Sequence, residues 1–215
     1  FRGPVEGQAR VEWRLSGRRY QVSLEVEVGP PFAPLVARQI QSDGLVGPDG
    51  LVPQRYDEET RIAFRAPRRL SILIDDERVR LPSGRELPRP GGVQDSASQF
   101  VQMTWLFTMQ PERLRAGTLL DLPLALPRHV QTWRYEVVGT ERLETPLGEI
   151  EAVHVRPQPP PRAPGAGPAP AGGDLVAEFW VAPTLQNLPV RILIRQDEET
   201  HVDLRLARLP QQGGR

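Results

Sequence analysis

Among its 215 residues the chain has no cysteine and no lysine, so all 27 basic residues are arginine. Those two absences exclude disulfides, thiol nucleophiles, thiolate metal sites and Schiff-base chemistry together. Charge of one sign is lacking as well: 27 Asp and Glu balance 27 Arg, for a formal net charge of zero. A neutral chain has no broad phosphate-binding surface, and nucleic acid is not an expected partner. No window approaches the roughly 20 apolar residues of a spanning helix, so no transmembrane segment is expected in this sequence. Histidine is scarce too. His129, His154 and His201 lie far apart in sequence with no paired metal spacing.

What is present is alternation. Val5, Ala9, Val11, Trp13 and Leu15 alternate with Glu6, Gln8, Arg10, Glu12 and Arg14, a period of two that predicts a strand with one wet face. After Ser16-Gly17-Arg18-Arg19 the apolar phase resumes on Tyr20, Val22, Leu24, Val26 and Val28, which completes an antiparallel hairpin. Weaker patterns over 36–46 and 51–57 flank Gly47-Pro48-Asp49-Gly50, a tight-turn sequence. Short strands are predicted over 70–75 and 78–81, before Pro82, Pro88, Pro90, Gly91 and Gly92 break the pairing. Further strands are predicted over 118–126, 130–140, 147–156, 174–182, 190–196 and 200–209, the last two joined at Asp197-Glu198-Glu199 with Val190, Ile192 and Ile194 inward.

The stretch from Ser96 to Pro111 has no charged residue and no alternation. It predicts a helix capped by Asp95 and stopped by Pro111, with Ser96 and Ser98 as first-turn residues that satisfy free N–H groups. At about 100° per residue Phe100, Met103 and Phe107 share one side, while Val101, Trp105 and Met109 occupy the opposite one. A helix apolar on two sides requires protein or ligand around it. The expected fold is therefore mainly β: a single domain over 1–215 in which a highly curved antiparallel sheet, or incomplete barrel, wraps one buried apolar helix. Phe100, Met103, Trp105, Phe107 and Met109 are the candidate residues for a hydrophobic ligand or lipid, against the plain reading of Phe100 and Phe107 as core. Pro157 to Gly173, with seven Pro, four Gly and four Ala, predicts a mobile loop inside that domain or a Pro-rich docking motif.

Catalytic patterns are not evident. No G-x-S-x-G, P-loop, dinucleotide fingerprint or calcium loop occurs. Asp75 and Asp76 suit a turn better than acid–base work. His201 with Asp203, and Glu149 with Glu151, share strand faces that point to solvent more readily than to a metal. No cofactor, metal or catalytic residue is expected.

Gln94-Asp95-x-x-Ser98, Gly139-x-Glu141-x-Leu143-x-Thr145-Pro146-x-Gly148 and Phe179-Trp180-x-Ala182-Pro183 leading into Leu188-Pro189-Val190-Arg191-Ile192 follow one another in an order and spacing that resembles the bacterial domain-of-unknown-function 3108 family. The resemblance covers most of the chain and implies an exported protein of the periplasm or outer-membrane face. A start at Phe1 rather than Met fits a removed export signal or a truncation. The family supplies no activity and no catalytic residue to carry over. Physically, Gly139 and Gly148 suit bulge or turn positions and Pro189 suits the start of a strand. Trp180 and Arg191 can stack as a cation–π pair, the plainer reading of Trp180 being an aromatic that fills the sheet end. Two functions follow: binding of a hydrophobic ligand or lipid between sheet and helix, or an envelope scaffold that holds a protein partner on a sheet edge or on the Pro-rich loop.

Overall fold

A computed structural model describes residues 5–30, 32–158, 176–195 and 201–211. They form thirteen strands and one α-helix in two antiparallel sheets, a mainly β fold in which neither sheet closes on itself. The chain divides into two compact units: Phe1–Gln102 with Leu122–Thr132, and Met103–Asp121 with Trp133–Arg215.

The first unit holds a meander in which each strand pairs with the next: β1 (Gly7–Ser16), β2 (Arg19–Val28), β3 (Val36–Gly47), β4 (Gly50–Ile62), β5 (Arg68–Ile74), β6 (Arg78–Arg80) and β7 (Glu86–Pro88). Its two-residue turns fall where the sequence places them, closing Ser16 on Arg19 and Gly47 on Gly50. The apolar phase of β2 to β6 forms the core through Tyr20, Val22, Ile40, Tyr56, Ile72 and Val79, joined by Ala97 just before the helix and with Val101 of the helix packed against it. Asp43 pairs with Arg55 but Gly44 with Pro53, so Gln54 is an extra residue that reverses the phase of β4 and lets Leu51 and Tyr56 both turn inward. Gly44 is obligatory there, because a Cβ would lie 2.2 Å from the Val52 carbonyl oxygen and 2.8 Å from the Tyr20 ring. β7 departs from the expected break at Pro82 to Gly92. Pro88 can pair at all because β7 is the edge strand, where a missing N–H costs no ladder bond.

The helix, α1 (Ser98–Met109), starts in the first unit and continues into the second. It is two residues shorter at each end than the uncharged stretch, and Pro111 opens a 3-10 turn over Pro111–Leu114.

The second sheet runs in the order β13 (His201–Arg205), β12 (Leu188–Arg195), β11 (Val176–Ala182), β10 (Gly148–Gln158), β9 (Val130–Thr145) and β8 (Leu119–Ala125). Thr145-Pro146-Leu147-Gly148 is the expected turn, in which the Thr145 hydroxyl donates to the Gly148 carbonyl at 2.8 Å and accepts from the Leu147 N–H at 3.1 Å. Gly139, at φ +150°, follows the extra residue Val138 in β9. A further bulge at Val190 seats Pro189 without loss of pairing. It also corrects the expected phase: Val190 packs with Trp180, Ala182 and Leu193 rather than in line with Ile192 and Ile194. The expected loop over 157–173, beyond Pro157 and Gln158 at the end of β10, and the turn at Asp197-Glu198-Glu199 fall outside the described residues.

Candidate functional site

The helix starts on a buried polar relay. Asp95 Oδ1 accepts from the N–H groups of Ala97 (2.9 Å) and Ser98 (2.8 Å), and the Ser98 hydroxyl accepts from the Asp95 N–H at 2.9 Å, a reciprocal cap. Asp95 Oδ2 accepts from the Ser42 hydroxyl at 2.6 Å. Since Ser42 gives its only proton to Asp95, the Tyr20 hydroxyl, 3.0 Å from Ser42 Oγ, donates to it. Burial pushes the Asp95 carboxyl up, opposed by the Ser42 hydroxyl and the two backbone N–H groups. Burial pushes the Tyr20 phenol up as well, with Asp95 adding to it. All four side chains are closed to solvent. The relay therefore fixes the helix start.

Of the ligand candidates on α1, Met103 and Phe107 are buried, Phe100 and Trp105 are half-buried, and Met109 is 61% exposed. Burial on both sides, expected for the whole helix, holds for neither Thr108 nor Met109, because the C-terminal turn is open to solvent. Thr104 and Thr108 tie this end to the Gln186–Asn187 loop: the Thr104 hydroxyl donates to the Asn187 carbonyl at 3.1 Å, and Asn187 Nδ2 donates to the Thr108 hydroxyl at 3.2 Å.

The second sheet carries a stacked cluster on the face that holds Ala152, Trp180 and Leu193. His154, Trp180 and Arg191 are direct cross-strand neighbours on β10, β11 and β12. The His154 and Trp180 rings stack with centroids 4.4 Å apart and 7° between planes, and the Arg191 guanidinium lies 4.5 Å from the Trp180 ring centre. Trp180 thus combines both sequence readings, since it is also 4% exposed. Carboxylates frame the stack: Glu141 accepts from Trp180 Nε1 and lies 3.4 Å from His154 Nδ1, Glu178 lies 3.1 Å from His154 Nε2, and Asp203 accepts two hydrogen bonds from Arg191 at 2.8 and 2.9 Å. No group of three metal-binding side chains occurs among the described residues. Asp203 matches Arg191 and two carboxylates flank His154, which makes the cluster a clamp whose members span β9 to β13.

Asp203 titrates accordingly. Partial burial pushes its carboxyl up, but hydrogen bonds and charge from Arg191 and Arg205 outweigh this and hold it below the ordinary value. A depressed native pKa gives stability that is present above the unfolded carboxylate pKa of about 4 and is lost as pH falls below it. Asp203→Asn is expected to cost about 1 kcal/mol at neutral pH, and urea melts should show that difference shrinking as pH falls below about 4.

The third feature is β1. Its apolar phase is uncovered: Val11 is 63% exposed, Leu15 56% and Trp13 41%, with Trp13 stacked on Tyr20 at 5.5 Å. Among the described residues no further strand lies beside β1, which is an edge of the first sheet. The Glu6 carbonyl accepts from the Gly29 N–H at 2.9 Å, so even-numbered residues turn their backbone toward β2, and Ala9, Val11, Trp13 and Leu15 turn theirs away. Among the described residues they therefore present apolar side chains together with backbone groups that no strand pairs. The alternation that predicts this strand is blind to whether anything covers its apolar phase. By contrast, a hollow of ≈ 400 Å³ elsewhere on this sheet is lined by charged side chains, Asp57, Glu59 and Arg69 among them, together with Ile40 and Leu70.

The sequence profile of a protein family of unknown function, DUF3108, matches residues 3–199. The chain belongs to the DUF3108 family. No curated protein matches it at a significant level. Its fold is similar to the crystal structure of a β-barrel-like protein of the DUF1849 domain of unknown function from Brucella abortus, at 10% identity and a TM-score of 0.54, over 93% of this chain and 85% of that one. At that identity the likeness is one of fold. Of the motifs quoted from the sequence, the DUF3108 chain uses Asp95 and Ser98 as the helix cap, Gly139 and Gly148 as bulge and turn, and Trp180 and Arg191 as the stack.

Proposed function

We propose that the DUF3108 chain is a non-enzymatic protein of the cell envelope that holds a protein partner on the β1 edge of its first sheet. The observation that carries this reading is β1, a ten-residue edge strand whose apolar side chains stand in solvent. Folded proteins normally blunt such edges, and one that combines unpaired backbone with exposed Val, Trp and Leu is a template for strand addition. The envelope location follows from the export that the family resemblance implies. A photo-crosslinking residue at Val11 in living cells is expected to give one discrete adduct, identified by mass spectrometry, and the same residue at fully exposed Asp76 none. Equal labelling at both positions, or none at Val11, overturns the edge reading. Recovery of the chain in the cytoplasmic fraction overturns the location.

A second reading rests on α1. Met109 is exposed and Trp105 half-buried on one side of an uncharged helix, an apolar flank that suits a hydrophobic ligand or lipid. Native mass spectrometry of the chain purified from its own envelope should then show retained lipid, reduced by Met109→Glu. No retained lipid and no saturable binding of a hydrophobic fluorescent probe overturns this second reading.

A further inference from the structure

We infer that the occupant of the β1 edge is a second copy of the same chain, paired β1 to β1 antiparallel about a two-fold axis through Val11. The inference rests on the edge reading above and deepens it by naming the partner. Strand addition must join residues whose backbone faces outward, which here are the odd-numbered ones, and must keep the apolar phase on one face. Among the central registers these conditions leave, charge decides. An axis at Glu12 sets Glu12 against Glu12 and Arg10 against Arg14, and an axis at Arg10 sets Arg10 against Arg10; like charges directly opposite are destabilising.

An axis at Val11 instead places Arg10 opposite the second copy's Glu12, and by symmetry Glu12 opposite the second copy's Arg10. It also places Ala9 opposite the second copy's Trp13, small against large, and Val11 against Val11. In the single chain Arg10 already reaches Glu12 along the strand at 2.7 Å, so both side chains lie on one face, ready to exchange partners across the axis. An axis at Trp13 matches Glu12 with Arg14 but opposes two indoles and pairs a shorter stretch, since β1 ends at Ser16. The Val11 register uses nearly the whole strand. It is an isologous contact, in which one patch complements itself and the assembly closes as a dimer.

The test is sedimentation velocity of the full chain over a concentration series, with folding checked by circular dichroism. The wild type should form a species of twice 24.1 kDa. Arg10→Glu or Glu12→Arg alone turns two attractive pairs into two repulsive ones and should weaken the dimer roughly tenfold or more. The double variant R10E/E12R restores opposite charges and should recover the wild-type constant. Val11→Pro removes an N–H that faces away from β2, so it leaves the β1–β2 ladder intact and should abolish dimerisation.

A monomer at every concentration, or a dimer that survives Val11→Pro, overturns the inference. So does disruption by E12R with R10E inert and no rescue by the double variant, which is the signature of the Trp13 register. A Val11 crosslink to a different protein sinks the self-pairing while leaving the edge reading in place; no crosslink at all sinks both.

Discussion

Asp95→Ala is expected to destabilise the first unit by about 3–5 kcal/mol. The variant removes the acceptor of three donors at once. The N–H groups of Ala97 and Ser98 lose their cap, which costs about 1 kcal/mol in typical helices. The Ser42 hydroxyl, fully buried, loses the carboxylate 2.6 Å away, and an unsatisfied buried donor costs a further ~1–3 kcal/mol. Behind Ser42 stands Tyr20, whose ring covers Gly44 and whose hydroxyl donates into the same relay. Most single substitutions cost less than this, and domains are stable by only about 5–15 kcal/mol, so the loss approaches unfolding.

Asp95→Asn separates the two halves of the effect. The amide oxygen can still cap Ala97 and Ser98, whereas the NH₂ group donates to the Ser42 hydroxyl, so the Ser42–Tyr20 bond must reverse and the relay loses the carboxylate on which it ended. Its cost should be about 1–3 kcal/mol, from the relay alone. Hydrogen exchange resolved by segment gives the decisive reading: Asp95→Ala should raise exchange in β2 to β4 and the first turn of α1. If both variants melt within 1 kcal/mol of wild type, the relay is not what anchors the helix.

Much of this was legible in the sequence, for reasons that differ from element to element. Turns read well because their chemistry is local: Pro48-Asp49 and Pro146-Leu147 are two-residue loops that their own backbone preferences specify. The cap read well because an Asp followed three residues later by Ser, before an uncharged apolar run, supplies acceptors for the orphan N–H groups at a helix start. Bulges read only where a glycine marked one: Gly139 was expected at a bulge or turn and stands beside the extra residue Val138, whereas Gln54 and Val190 reverse their strands' phases with nothing in the period-two alternation to show where the extra residue enters. Exposure did not read: β1 and β2 alternate equally cleanly, yet Tyr20 and Val22 are buried and Val11 and Leu15 are not. Coverage is a property of what lies across the sheet, not of the strand itself. The Trp180–Arg191 pair was visible as two residues that could stack, but His154, 26 positions upstream of Trp180, joins them only through the β10–β11 register.

Trp180→Ala should cost the second unit about 3–5 kcal/mol. The indole is almost wholly buried between two flat groups, so truncation opens a slot on both of its faces. His154 loses a ring contact worth ~0.5–1.5 kcal/mol and Arg191 a cation–π contact worth ~0.5–1 kcal/mol. Glu141 loses its indole donor, and the rest of the cost is the cavity among Ala152, Ala182, Val190 and Leu193. Trp180→Phe retains a ring between His154 and Arg191 but neither the indole volume nor its N–H, and should cost about 1–2 kcal/mol. The ordering Ala above Phe, with raised exchange confined to β10 through β12, identifies a stacked clamp. Equal losses for the two variants would mean that the hydrogen bond to Glu141 carries the effect, and a loss below 1 kcal/mol for alanine would mean that the strands hold together without the stack.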